Sequence, residues 1–252
     1  MIKVSKDLDD VPSSLDSALT TQRRNDIISR ATYDKAYNRR FKLNDIKEAL
    51  ARVYNGKCAF CERKIDKCLD GIQNECTSTV EHYRPKGKYY WLAFSWDNLI
   101  WCCYRCNNKK DDNFPIKNSE ISYNSSFLAK IHKSSQEYND LEEPYLIHPD
   151  FEDIVDLLTF KNGIIKSEDE RVKKTIEILG LDREDLNESR KKVIDNLINK
   201  IYAKMAVGED FRGVVSEFID SAKDIQEEFI ALRIWILNNL NKLLRQRALN
   251  DL

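Results

Sequence analysis

Cys58-Ala59-Phe60-Cys61 opens, and Cys103-Tyr104-Arg105-Cys106-Asn107 closes, a stretch holding Val80-Glu81-His82-Tyr83-Arg84-Pro85-Lys86 and then Trp96-Asp97-Asn98-Leu99. Thiolates are soft donors, and four of them close a tetrahedron around Zn²⁺. A two-residue gap lets each cysteine pair turn back on one ion. Cys58, Cys61, Cys103 and Cys106 are therefore read as a structural zinc site, a clip that supplements a small core. The wide separation of the two pairs weighs against a thiol redox protein, which would hold no zinc. Of the seven cysteines, Cys68, Cys76 and Cys102 are read as ordinary thiols.

The residues between the knuckles suit a different, harder cation. Cleaving a phosphodiester needs a base for water, a cation for the developing charge, and a frame that keeps the base in line. His82 is one of three histidines and directly follows an acid; its imidazole can take a proton near neutral pH. Glu81 and Asn107 offer hard oxygen atoms that suit Mg²⁺ or Mn²⁺. The Asn98 amide can tie the loop. Arg84, Lys86, Lys109 and Lys110 are candidate phosphate-holding cations. Singly these signals are weak, since a lone His or Asn is more often structural. Their order between two zinc knuckles is specific. His148, in an Ile-His-Pro turn, and His132, on an expected surface helix, are read as structural.

Over roughly residues 55–116 the chain resembles the HNH endonuclease family, whose centre is a β-hairpin plus a helix around one metal (ββα-metal). The resemblance implies that His82 is the general base, that Asn98 braces the hairpin loop, and that the position after the second knuckle binds the metal. Here that position is Asn107 where the family usually has His, so Glu81 becomes the second ligand.

A narrower likeness is to the HNH effectors of Septu anti-phage systems and of some retrons. It rests on Glu81 to Lys86, Trp96 to Leu99, Cys106-Asn107-Asn108-Lys109-Lys110 and Phe114-Pro115-Ile116. Leu146-Ile147-His148-Pro149, Leu158-Thr159-Phe160 and Asn162-Gly163 extend it to about residue 200. It implies an ABC- or SMC-type ATPase partner and a nuclease restrained until infection is sensed. In a retron setting it adds a reverse transcriptase and its msDNA.

Outward from this stretch, the fold class expected is α+β, mainly α: a ββα-metal HNH nuclease core with its four-cysteine zinc site, and a helical C-terminal part. The divisions expected are an N-terminal arm over 1–43, a nuclease unit over 44–118 and a helical unit over 119–252. The arm reads as extended with one short helix. Asn44-Asp45 is expected to cap a helix to about Tyr54, stopped by Asn55-Gly56. Residues 66–78 read as a loop, Thr79–Tyr83 as a strand, and Ser95 as the cap of a turn. Asn162-Gly163 between apolar runs predicts a hairpin. Ser167 with Glu170 predicts a capping box, and Gly180 a helix stop. Leu186, Val193, Leu197 and Ile201 mark one amphipathic helix; Phe229, Leu232, Ile236 and Leu240 mark another.

With 42% hydrophobic and 33% charged residues, a soluble domain is expected. No apolar run reaches the ~18 residues of a membrane span. Residues 1–5 lack a signal-peptide core, so a cytoplasmic location is expected. Lys plus Arg exceed Asp plus Glu by 9 to 6 over 1–44 and by 13 to 10 over 45–118, and fall short by 19 to 26 thereafter. The mildly basic front permits nucleic-acid contact, and the acidic rear points to a protein partner. The function expected is metal-dependent hydrolysis of nucleic acid, DNA before RNA or tRNA, leaving a 5′-phosphate. The alternative is a zinc-containing nucleic-acid-binding or scaffold module with an inactive centre.

Overall fold

The computed structural model describes residues 1–65 and 78–250. Cys68, Cys76 and most of the loop expected over 66–78 lie outside them. The protein is mostly helical, with two small antiparallel sheets among the described residues.

The central hairpin pairs β1 (Ser78–His82) with β2 (Leu99–Cys103), in a register that sets Glu81 opposite Ile100 and His82 opposite Leu99. Helix α3 (Tyr104–Lys110) follows β2 without a break and packs on both strands. The linking loop contains the 3-10 turns Tyr90–Leu92 and Trp96–Asn98. Ser95 precedes the second turn without capping it; its hydroxyl instead donates to Asp97 Oδ1 at 2.6 Å.

The N-terminal segment is neither extended nor separate. Ser17 caps α1 (Ala18–Arg30), its hydroxyl accepting from the Thr20 amide. Leu15 and Ile27 are buried, and α1 packs against the Tyr90–Leu92 turn. Further forward, Lys6 passes behind the hairpin. Its ammonium donates to the Leu99 carbonyl at 2.6 Å and lies 2.8 Å from Asp150 Oδ2. Tyr54 donates a short hydrogen bond to the other oxygen of Asp150. In α2 (Asn44–Val53), Ile46, Ala49 and Leu50 are buried. Asn44 is its first helical residue rather than its cap, and Asp45 is drawn away to accept from the Ser14 amide at 2.9 Å. Asn55 and Gly56, at φ 53° and 66°, turn the chain out of the helix.

The rear opens with α4 (Ser135–Glu142). Strands β3 (Thr159–Lys161) and β4 (Ile164–Lys166) then form a hairpin across Asn162 and Gly163, both at positive φ. Only glycine fits at 163: a Cβ there would stand 2.1 Å from the Asn187 carbonyl oxygen. The cap of α5 (Glu170–Leu179) is Asp169, accepting from the Val172 amide at 2.9 Å. Ser167 lies two residues too early and donates to the Leu157 carbonyl at 2.7 Å. Gly180 ends α5 at φ 54°. Then come α6 (Glu184–Ala206), α7 (Arg212–Lys223), which the apolar spacing had not suggested, and α8 (Ile230–Asn250). One continuous apolar cluster joins the arm, the hairpin and α5–α8, so the boundaries expected at 43 and 118 are not breaks in the core. Among the described residues no helix is long and apolar enough to cross a membrane.

Candidate catalytic and metal-binding centre

The four knuckle thiols converge. Cys58, Cys61, Cys103 and Cys106 are all buried, with sulfur atoms within 4.8 Å of one another. Cys61 and Cys103 Sγ stand 3.9 Å apart, close to the ~3.8 Å edge of a tetrahedron with Zn–S bonds of ~2.3 Å. The set fits a metal such as zinc. Main-chain bonds shape the first knuckle: the Cys58 amide donates to the Arg63 carbonyl at 2.8 Å, and the Glu62 amide to the Cys58 carbonyl at 2.9 Å. Glu62 takes φ 63° to make the turn. The second pair spans the junction of β2 and α3. Cys102 points to the other face of β2, where Thr79 Oγ1 lies 3.4 Å from its sulfur.

Arginines surround this cluster. Arg183 Nη1 donates to Cys106 Sγ at 3.6 Å. Asp185 takes Arg63 at 2.8 Å, Arg105 at 2.9 Å and Arg183 at 3.0 Å. Burial opposes the Arg183 charge, yet the neighbouring Cys106 and Cys61 sulfurs raise its pKa. The sequence reading missed Arg183 and Asp185 because they come from the start of α6, far along the chain.

At the opposite end of the hairpin, His82 is the last residue of β1. Its Nε2 stands 3.0 Å from the Ala93 carbonyl oxygen, which can only accept. Nε2 therefore carries the proton and Nδ1 the lone pair. The Phe41 ring meets the imidazole edge-on at 4.5 Å, and His82 is 2% exposed. Burial, with Lys86 nearby, pushes its pKa down to about 3. The ring is thus neutral throughout the physiological range.

Asn98 holds the loop that carries Ala93. It is fully buried. Its Oδ1 accepts from the Arg84 amide at 2.8 Å, and its Nδ2 donates to the carbonyls of Arg84 at 3.1 Å and Leu92 at 3.3 Å. One amide side chain so joins both ends of the loop.

Adjacent strand residues point to opposite faces, and Glu81 leaves β1 away from His82, toward α3. Lys110 Nζ donates to Glu81 Oε1 at 2.9 Å. Burial raises the Glu81 pKa against the pull of Lys110. Asn107 lies three residues before Lys110, on the same face of α3. Its amide is half-buried and has no hydrogen-bond partner among the described residues. No hydrogen bond joins the His82 imidazole to Glu81 or Asn107 among those residues.

The four expected phosphate cations separate into two pairs. Lys109 is exposed. Lys86 is half-buried, with its ammonium 5.8 Å from the centroid of the Phe41 ring. Arg84 and Lys110 are fully buried and are not presented to a ligand. Arg84 Nε donates to Glu142 Oε2 at 2.8 Å, and its Nη2 donates to Asn139 Oδ1 at 2.8 Å. The rings of Tyr83, Tyr89, Phe114 and Tyr138 surround the guanidinium. Glu142 is completed by Tyr89 Oη at 2.8 Å and the Ile121 amide at 3.0 Å. Tyr83, next along, donates to the Leu146 carbonyl at 2.6 Å and meets the His148 ring at a tilt, 4.1 Å between centroids.

The other two histidines serve packing. His132 is buried rather than on a surface helix. It accepts from the Trp96 amide at Nδ1, 2.8 Å, and its Nε2 lies 3.0 Å from Asp16 Oδ1. His148 accepts from the Asp150 amide at 3.2 Å.

No family model matches the chain. Among curated proteins it is similar to the Septu protein PtuB of Bacillus mycoides (strain KBAB4), 32% identical over 174 residues, covering 62% of this chain and 53% of that protein. It is also similar to the Septu protein PtuB of Bacillus thuringiensis, 25% identical over 179 residues, 71% of this chain and 52% of that one. The Septu protein PtuA of Bacillus mycoides (strain KBAB4) matches at 25% over 170 residues, 62% of this chain and 22% of that protein. The chain spans about half the length of the two PtuB relatives it matches.

Proposed function

We propose that the chain is a metal-dependent HNH endonuclease that hydrolyses nucleic acid, DNA foremost. In this proposal it serves as the effector of a Septu-type anti-phage system, under the control of a PtuA-like ATPase. One observation carries the chemistry. His82 donates from Nε2 to Ala93, in a loop that Asn98 clamps at both ends, and so is left with a lone pair on Nδ1. That is the state a general base needs. Glu81 and the Asn107 amide would hold a hard cation such as Mg²⁺ or Mn²⁺. Bound there, the cation would stabilise charge on the phosphate and the leaving oxygen. The scissile phosphate would lie across the end of β1, met by His82 from one face and by Glu81 and Asn107 from the other. The four thiols would hold Zn²⁺ and keep β2 and α3 in register. Lys86 and Lys109 remain as phosphate contacts. The likeness to PtuB supports the biological setting; the ATPase partner is inferred from that setting and from the acidic rear.

The test is cleavage of supercoiled plasmid and of structured RNA with Mg²⁺ or Mn²⁺, with and without an ATPase partner. The expected result is DNA nicking that leaves 5′-phosphate ends. His82→Ala should lower the rate by about 10²–10⁴-fold while keeping zinc content and the melting curve. Full activity in that variant would remove His82 from the mechanism. A second function, a zinc-containing nucleic-acid-binding or scaffold module, is favoured by the burial of His82 beneath Phe41. Binding without cleavage under every condition would select it.

A further inference from the structure

The Glu81 carboxylate already has a cation. Lys110 ends α3, where the helix dipole favours positive charge. Its ammonium lies 2.9 Å from Glu81 Oε1 and 3.3 Å from the Asp111 carbonyl oxygen. The Lys110 side chain is 0% exposed and that of Glu81 12%. Asp111 takes φ 45°, a turn that ends the helix directly beyond the lysine. A lysine carried this far from water ordinarily needs a strong partner. Among the described residues, Glu81 is its one charged contact.

A carboxylate and a backbone carbonyl on one positive charge are the donors that a hard metal ion also selects. A Mg²⁺ ion on Glu81 would sit about 2.0–2.1 Å from its oxygen, within a few ångströms of the ammonium. Buried like charges at that range repel with little screening. The two cations are therefore rivals for one carboxylate.

We propose that Lys110 is the resident counter-ion of Glu81, and that a hard divalent cation reaches this carboxylate only by displacing the Lys110 ammonium. The inference rests on the assignment of Glu81 as a metal ligand. Lys110 is then a positioning residue. It holds the carboxylate in place before the metal arrives, and it sets the metal concentration at which the centre loads. The phosphate role expected from its place in the Asn-Asn-Lys-Lys run gives way to this one.

Mn²⁺ binding to the zinc-loaded full chain, read from the paramagnetic signal of the free ion, tests this without using cleavage. Lys110→Met keeps the apolar stem of the side chain and removes the charge. It should tighten Mn²⁺ binding on the order of tenfold, within the usual range for coupled sites. Glu81→Gln should abolish the site. If Glu81→Gln leaves Mn²⁺ binding unchanged, the assignment of Glu81 falls. If Glu81→Gln abolishes binding while Lys110→Met weakens it or leaves it alone, displacement falls and the assignment stands. Should Lys110→Met fail to fold, reductive methylation of the wild-type chain gives a second readout. Lys110 should be protected without Mn²⁺ and modified with it. Protection that persists at saturating Mn²⁺ would overturn the displacement.

Discussion

The two ends of the central hairpin are built on opposite plans. At one end, four thiols point inward from two knuckles, and three arginines meet on the single carboxylate of Asp185 beside them. Four thiolates and Zn²⁺ carry a net charge of −2; three guanidiniums and one carboxylate carry +2. These groups offset one another when a zinc ion is bound. At the other end Glu81 and His82 leave the strand on opposite faces, the Asn107 amide has no partner among the described residues, and a lysine borrows the carboxylate. Donors there are supplied but not joined. The contrast teaches that the chain brings the four thiols together, while the residues expected to form the second centre stand apart.

The closed end should be the harder to disturb without general collapse. Cys103→Ser, or removal of zinc by a strong chelator, should cost most of the folding free energy. Structural zinc is worth about 10–16 kcal/mol in small domains at neutral pH. Loss of the cooperative thermal transition, followed by circular dichroism, is the expected outcome. A chelated protein that melts like the untreated one would erase the distinction between the two ends.

A smaller effect should follow from Arg84→Met, which acts at the open end alone. It leaves Glu142 charged and buried, a change that costs roughly 3–5 kcal/mol. Denaturant titration should show that loss with zinc stoichiometry unchanged. A cost below about 1 kcal/mol would mean that solvent reaches Glu142.

The most gradual effect is one of pH. The folded His82 pKa of about 3 lies below the ordinary value of 6.5, so between the two the unfolded chain binds more protons. The stability contributed by neutral His82 is present above pH 6.5 and is lost as pH falls toward 3, at no more than ~1.4 kcal/mol per unit. His82→Gln should flatten the acid arm of melting temperature against pH relative to wild type. His132 and His148, also depressed by burial, contribute equally to both proteins. An identical acid arm in the two would place the His82 ring in water.

What the sequence made legible was local. Cys-x-x-Cys geometry is set by the metal and a tight turn, so the cluster could be read from spacing. Asn162-Gly163 and Gly180 were legible because positive φ selects so few residues. The fates of Arg84 and Lys110 were not. A basic residue beside an acid-His pair reads as a phosphate contact, but Glu142, which claims Arg84, is 58 residues away. The cap of α5 moved from Ser167 to Asp169 because the Ser167 hydroxyl bonds to Leu157, a contact made only once the neighbouring hairpin has folded. The polar composition of the first 43 residues hid Lys6 and Arg24, whose buried charges are held by the Leu99 carbonyl and Asp150 for Lys6 and by the Leu15 carbonyl for Arg24.

That last tie bears on the order of events during synthesis. Lys6 leaves the ribosome well before Leu99, and Asp150 emerges later still. Until Asp150 is out, a Lys6 ammonium tucked against the Leu99 carbonyl would be a buried charge without its counter-charge, which is strongly disfavoured. Burial of Lys6 behind the loop braced by Asn98 is therefore favoured only after residue 150 has been made. A ribosome-bound chain that has just finished its hairpin still lacks the counter-charge for Lys6.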